Sequence, residues 1–212
     1  MSWPVEARVV PVVTIHDPEL AVPLAAALAA GGIAVMEVTL RTAAALEAVR
    51  RVREELPEVL CGTGTVLTPD DVAASVDAGA QFLVSPGSTP DLLAAMRDSG
   101  LLCLPGACTP SEAMAVLAAG FDVAKLYPAE VAGGTAMLSA LAGPFPQLRW
   151  CPTGGLTLAT AGHYLTLPQV VAVGGSWMAP PAVVANRDWA QVRDLAQETV
   201  AALASVPRLR PV

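Results

Sequence analysis

Short runs rich in β-branched and apolar residues recur at positions 8–14, 33–39, 59–65, 81–85, 101–105, 123–126, 148–152 and 170–173. Each has the length and composition of a buried strand. Between them, apolar residues repeat at helical spacing over 19–30, 43–56, 69–78, 90–99, 110–119, 135–141, 157–164 and 188–204. Three helix starts are written alike: Thr68-Pro69-Asp70-Asp71, Thr89-Pro90-Asp91 and Thr109-Pro110-Ser111-Glu112. Each sets a capping threonine before a proline at the first helical position, with acids in the first turn. Gly31-Gly32, Gly79, Gly100 and Gly120 stand where a helix ends and the next strand begins. The unit is a strand followed by a helix, about 22 to 25 residues long and repeated eight times. No linker, charge run or low-complexity stretch divides the series, so residues 1–212 read as one domain. The predicted fold class is α/β, a single-domain (β/α)8 TIM barrel. An open doubly wound sheet is the competing architecture. Thr14-Ile15-His16-Asp17-Pro18 follows the first strand where a dinucleotide fold would carry G-x-G-x-x-G, so that version has no support.

Composition narrows the function. Of 212 residues 54% are apolar, enough for a large core and too many for a disordered chain. A net charge of −7 argues against nucleic acid as a partner, so any anionic ligand must be held by a focused local site. Cys61, Cys103, Cys108 and Cys151 lie in apolar runs without a C-x-x-C pair and read as reduced core thiols of a cytoplasmic protein. Residues 1–7 lack the basic-then-apolar pattern of a signal peptide. The uncharged stretch 20–36 is nearly long enough to span a bilayer, but Pro23, Gly31-Gly32 and its alanine content point to a buried helix, a turn and a strand. No membrane partner is expected.

In a barrel of this kind, catalytic side chains come from the C-terminal ends of several strands. Those ends present Glu37, Arg41, Thr65, Pro86, Lys125, Thr153-Gly154-Gly155 and Gly174-Gly175-Ser176. Lys125 is the sole lysine, the other eleven cations being arginine. Among apolar neighbours, exclusion of water favours the uncharged amine that nucleophilic attack requires. The competing readings are a side chain that reaches out to solvent and one that pairs with a carboxylate. Glu37 is either a proton shuttle or the ion-pair partner of Arg41, and Arg41 either a rim charge or a fork for a substrate carboxylate. Each Gly-Gly pair alone suits a simple turn. Together, after the seventh and eighth strands, they match the place where barrels bind phosphate through backbone N–H groups. His16 and His163 are far apart and no clustered acids accompany them, so no metal site is expected.

Taken in order, Glu37-Val-Thr-Leu-Arg41-Thr, Gly62-Thr-Gly-Thr65-Val-Leu, Ser85-Pro-Gly87, Lys125-Leu-Tyr-Pro-Ala-Glu130, Gly143-Pro-Phe-Pro, Pro152-Thr-Gly-Gly155 and Val173-Gly-Gly-Ser-Trp177 resemble one family. It is the 2-keto-3-deoxy-6-phosphogluconate (KDPG) / 4-hydroxy-2-oxoglutarate (KHG) aldolase family, and the resemblance spans residues 9–204. It implies a class I aldolase without metal or cofactor, a homotrimer, acting on a small phosphorylated keto acid to give pyruvate and glyceraldehyde 3-phosphate. Carried over by position, Lys125 matches the Schiff-base lysine and Glu37 the general acid/base. Arg41 and Thr65 match the grip on the pyruvyl carboxylate, with Pro86 packing beside it. Thr153 matches a position near the substrate hydroxyls, and Gly154, Gly155, Gly174, Gly175 and Ser176 match the phosphate loops.

Thr63, Thr68 and Tyr127 depart from the alanine, asparagine and phenylalanine usual at those places, and the Tyr127 hydroxyl bears on substrate preference. The leader before the first strand is short, which leaves the barrel floor less covered by a helix. Alternative substrates are KHG and the galactonate epimer of KDPG. From other classes, a phosphosugar isomerase or decarboxylase would use Glu37 as base and Lys125 only as a charge, and a structural trimer or binding barrel would use neither.

Overall fold

The computed structural model describes residues 3, 4 and 7–207. The remaining leader residues, on which part of the signal-peptide reading rests, lie outside the described residues. The elements follow the expected alternation: β1 Val9–Val13, α1 Ala21–Ala30, β2 Val35–Thr39, α2 Ala45–Glu55, β3 Leu60–Gly64, α3 Pro69–Asp77, β4 Phe82–Val84 and α4 Pro90–Asp98. Then come β5 Leu102–Leu104, β6 Gly106–Ala107, α5 Pro110–Ala118, β7 Val123–Leu126, α6 Gly134–Ala142, β8 Arg149–Pro152 and α7 Leu158–Leu165. The chain ends with β9 Val173–Gly175, α8 Pro181–Ala185 and α9 Trp189–Ala204.

Every strand pairing is parallel, in a six-stranded sheet ordered β5-β4-β3-β2-β1-β9 and a three-stranded sheet ordered β6-β7-β8. Parallel bridges between Trp150 and Val170 and between Thr153 and Gly174 join β8 to the chain of β9.

Two expectations need correction. The fifth run appears as two strands because Pro105 interrupts it: proline has no N–H to give a ladder. Leu104 still pairs toward β4, while Gly106 pairs with Lys125 of β7. The sequence predicts the eighth strand at 170–173 with Gly174-Gly175 in the loop beyond it. Instead β9 comprises Val173–Gly175, and both glycines sit in the strand, paired with Val10 and Pro11 of β1. Glycine carries no hydrophobic signal, so the register had to come from the neighbouring strand. The short α8, with proline at its first position, is not among the predicted elements.

Thr68, Thr89 and Thr109 cap α3, α4 and α5 with proline behind them, and Asp71 and Glu112 close capping boxes on Thr68 and Thr109. The uncharged stretch 20–36 is α1, a turn and the start of β2, with Leu24 and Leu28 fully buried. No helix among the described residues is long and apolar enough to cross a membrane. At the N-terminal strand ends Val200, Leu203 and Ala204 of α9 line the floor. Trp3 packs edge-on against Phe82 there, and an apolar cavity of about 810 Å³ lies among Pro4, Val9, Val35, Leu60, Leu203 and Val206.

Candidate active site

Register brings the chemistry together. Glu37 on β2 stands opposite Val12 of β1 and Gly62 of β3, while Lys125 on β7 stands opposite Gly106 and Cys151. From these separate sheets the two side chains meet, with Lys125 Nζ donating to Glu37 Oε1 at 3.3 Å. The side chains are 5% and 3% exposed. Two isolated charges in such a place would each cost several kcal/mol, so the pairing is a condition of the burial. The carboxylate also needs an empty neighbour: a Cβ on Gly64 would stand 2.0 Å from Glu37 Oε1. Of the readings open for Lys125, the path to solvent is excluded, and its carboxylate partner is the other residue singled out as a proton carrier.

Glu37 is not paired with Arg41. The Arg41 Nε donates instead to Thr65 Oγ1 at 3.1 Å. Thr65 has φ of 60°, a left-handed conformation unusual for a β-branched residue. Such a residue costs of order 1–3 kcal/mol and persists where its surroundings hold it.

A cavity of about 440 Å³ is lined by Arg41, Tyr127, Thr153, Gly154, Gly155 and Ser176, with Gly175 in the wall. The Tyr127 ring centroid lies 5.3 Å from Lys125 Nζ, within reach of a cation–π contact. Glu37, Thr65, Pro86, Lys125 and Gly174 are not among the residues that line this cavity. Pro86 packs against Gly106, where a Cβ would stand 2.3 Å from its carbonyl carbon. Gly174 lies against Thr153, whose Oγ1 is 2.3 Å from the place a Cβ would take. Thr14 and His16 also line the cavity, although neither is among the predicted site residues. The strand-end rule applied to β1 would have found them.

Cys151, the strand neighbour of Lys125, is no competing nucleophile. Burial pushes its thiol up to about 12, against the opposing pull of the Lys125 charge. Among the described residues there is no group of three or more His, Cys, Asp or Glu side chains placed to hold a metal ion.

Residues 3–195 match the family described as KDPG and KHG aldolase. The 2-dehydro-3-deoxy-phosphogluconate aldolase of Pseudomonas aeruginosa is 50% identical over 195 residues, covering 92% of this chain and 89% of that protein. Among solved structures, KDPG aldolase of Legionella pneumophila, with pyruvate captured at low pH as a covalent carbinolamine intermediate, superposes with a TM-score of 0.90 at 43% identity. That match covers 92% of this chain and 95% of the other. The Zymomonas mobilis enzyme with 3-phosphoglycerate gives a TM-score of 0.89 at 40% identity, covering 98% and 95%. These likenesses define a carbon–carbon lyase of the aldolase type. The chain belongs to the KDPG and KHG aldolase family.

Proposed function

We propose that this protein is a class I aldolase that cleaves 2-keto-3-deoxy-6-phosphogluconate to pyruvate and glyceraldehyde 3-phosphate through an imine on Lys125. The observation that carries the reading is the buried 3.3 Å contact between the sole lysine and Glu37. An ordinary lysine holds a free amine about once in 2,500 molecules at neutral pH. This hydrogen bond gives the ammonium proton a route to the carboxylate as the amine attacks, so that Glu37 holds the proton the next step needs.

Lys125 Nζ attacks the C2 carbonyl, and Glu37 protonates the carbinolamine hydroxyl as it leaves as water. The resulting iminium is a better electron sink than the ketone. Glu37, now a carboxylate, takes the proton of the C4 hydroxyl as the C3–C4 bond breaks, and the electron pair runs into the iminium to give an enamine. The aldehyde departs, the enamine is protonated at C3, and water releases pyruvate and restores the amine. One carboxylate thus serves the successive transfers. Arg41 and Thr65 hold the substrate carboxylate with Pro86 packed beside that grip, Thr153 meets the hydroxyls, and Gly154, Gly155, Gly175 and Ser176 receive the phosphate on backbone donors, with Gly174 leaving room for Thr153.

Treatment with pyruvate and borohydride should fix the label on Lys125 alone, and Lys125→Arg should fold without activity. An unlabelled protein would reject the imine and favour an isomerase or decarboxylase. The family description includes KHG, so kcat/KM for KDPG, its galactonate epimer and KHG ranks the substrates. Equal values for KDPG and KHG would remove the phosphate role from the glycine turns.

The proposal extends to the assembly. Residues 1–212 form one domain whose strands close into a (β/α)8 barrel. Pro105 passes the fifth strand from one sheet to the other, and the bridges at Val170 and Gly174 link the far ends. Slow exchange of the Val171 and Lys125 amides, which bond Trp150 O and Pro105 O, would support closure and fast exchange would refute it. A homotrimer follows from the family resemblance and is tested by solution mass. Four free cysteines suit a reducing, cytoplasmic setting.

A further inference from the structure

The turn after β8 is held from one side by a hydrogen bond that the reaction itself does not use. Gly154 and Gly155 both have positive φ, +102° and +84°, which only glycine adopts readily. Among the described residues neither donates its N–H to a protein acceptor. Their carbonyl side is clamped: Ala129 N–H donates to Thr153 O at 2.9 Å and Glu130 N–H to Gly154 O at 3.1 Å. The Cβ and Cγ of Glu130 fill the space a Gly155 side chain would need, 2.8 and 2.9 Å from its Cβ position. The carboxylate of Glu130 then accepts a 2.7 Å hydrogen bond from the Tyr164 hydroxyl on α7. Tyr164 is 2% exposed, and its hydroxyl stands 3.0 Å from the Cβ position of Gly134, so that oxygen has little room to move.

An exposed carboxylate beside a turn that offers free N–H groups to an anion is an electrostatic liability unless something fixes where its charge lies. Tyr164 supplies that restraint. Burial, reinforced by Glu130, pushes its ionisation well above the ordinary tyrosine range, so it stays a neutral donor.

We propose that Tyr164 is a positioning residue for the phosphate end of the substrate, its hydroxyl pinning Glu130 so that the Thr153–Gly155 backbone keeps its anion-receiving shape and the carboxylate stays clear. This rests on the aldolase reading above and on phosphate occupying that turn.

The test compares KM and kcat for KDPG and unphosphorylated KHG. Tyr164→Phe and Glu130→Ala should each raise KM for KDPG about tenfold, the factor belonging to one hydrogen bond to a charged group. They should leave kcat within about twofold and KM for KHG unchanged. Glu130→Gln, which keeps an acceptor for the tyrosine, should hold the wild-type KM. Parallel changes for both acids, or a fall in kcat on both, would reduce the pair to a structural contact and overturn the proposal. If Tyr164→Phe does not fold, the two variants at surface-exposed Glu130 decide it. Wild-type enzyme that does not distinguish the two acids would sink the phosphate reading and this proposal with it. A wild-type preference that Glu130→Ala leaves intact would sink the clamp alone.

Discussion

Replacing Glu37 with glutamine removes one charge from the buried pair at nearly constant volume. At 3.3 Å and an effective dielectric constant of about 20, the attraction that is lost amounts to about 5 kcal/mol. The variant has one escape, which is to bury Lys125 as a neutral amine, and for an ordinary lysine at pH 7 that costs about 4.6 kcal/mol. Against these stands the relief of no longer burying a carboxylate. The balance falls at about 3 to 5 kcal/mol of destabilisation, the range found when one partner of a buried pair is removed. Adding Lys125→Met removes the orphaned charge, so the double variant should recover to within about 1 kcal/mol of the parent. Urea titrations of the parent, both single variants and the double variant give the four free energies. A Glu37→Gln cost under about 1 kcal/mol, or a double variant that costs the sum of the singles, would refute a buried ionic pair.

Gly64→Ala would put a methyl group 2.0 Å from Glu37 Oε1 and 2.6 Å from its Cδ, forcing the carboxylate off Lys125. The variant should remain folded by circular dichroism while kcat falls about a hundredfold, and unchanged turnover would mean the carboxylate position is not critical. Burial pushes the thiols of Cys61 and Cys151 from 9.0 up to about 12 and that of Cys103 up to about 11. Their contribution to stability is whole below the unfolded value and is lost as pH rises through this window, because the unfolded chain gives up protons that the folded chain keeps. With three such groups the unfolding free energy should fall by up to about 4 kcal/mol per pH unit above pH 9, and a flat profile from titrations at about pH 8.5 to 10 would contradict it.

Much of this protein was legible along the chain, because the relevant physics acts within a few residues. Alternating runs and 3.6-residue spacing marked the elements, and Thr-Pro starts marked three helices through bonds that close within four residues. The sole lysine at a strand end and a glutamate inside an apolar strand were visible by residue type and position alone. Their contact was not, since 88 residues separate them and their meeting depends on how parallel strands register across two sheets. Gly174 was misplaced into a loop for the same reason: its strand state comes from β1 and its bareness from Thr153, neither of which is near in sequence. Thr14 and His16 join Arg41 and Ser176 around one cavity only because the strand ends that bear them converge, and Tyr164 reaches Glu130 across 34 residues. The sequence by itself determined most of the elements and the reactive side chains, because propensity, capping and side-chain chemistry are local. Tertiary structure alone decided which charges neutralise each other and which glycines make room, because both depend on distances between segments that share no local signal.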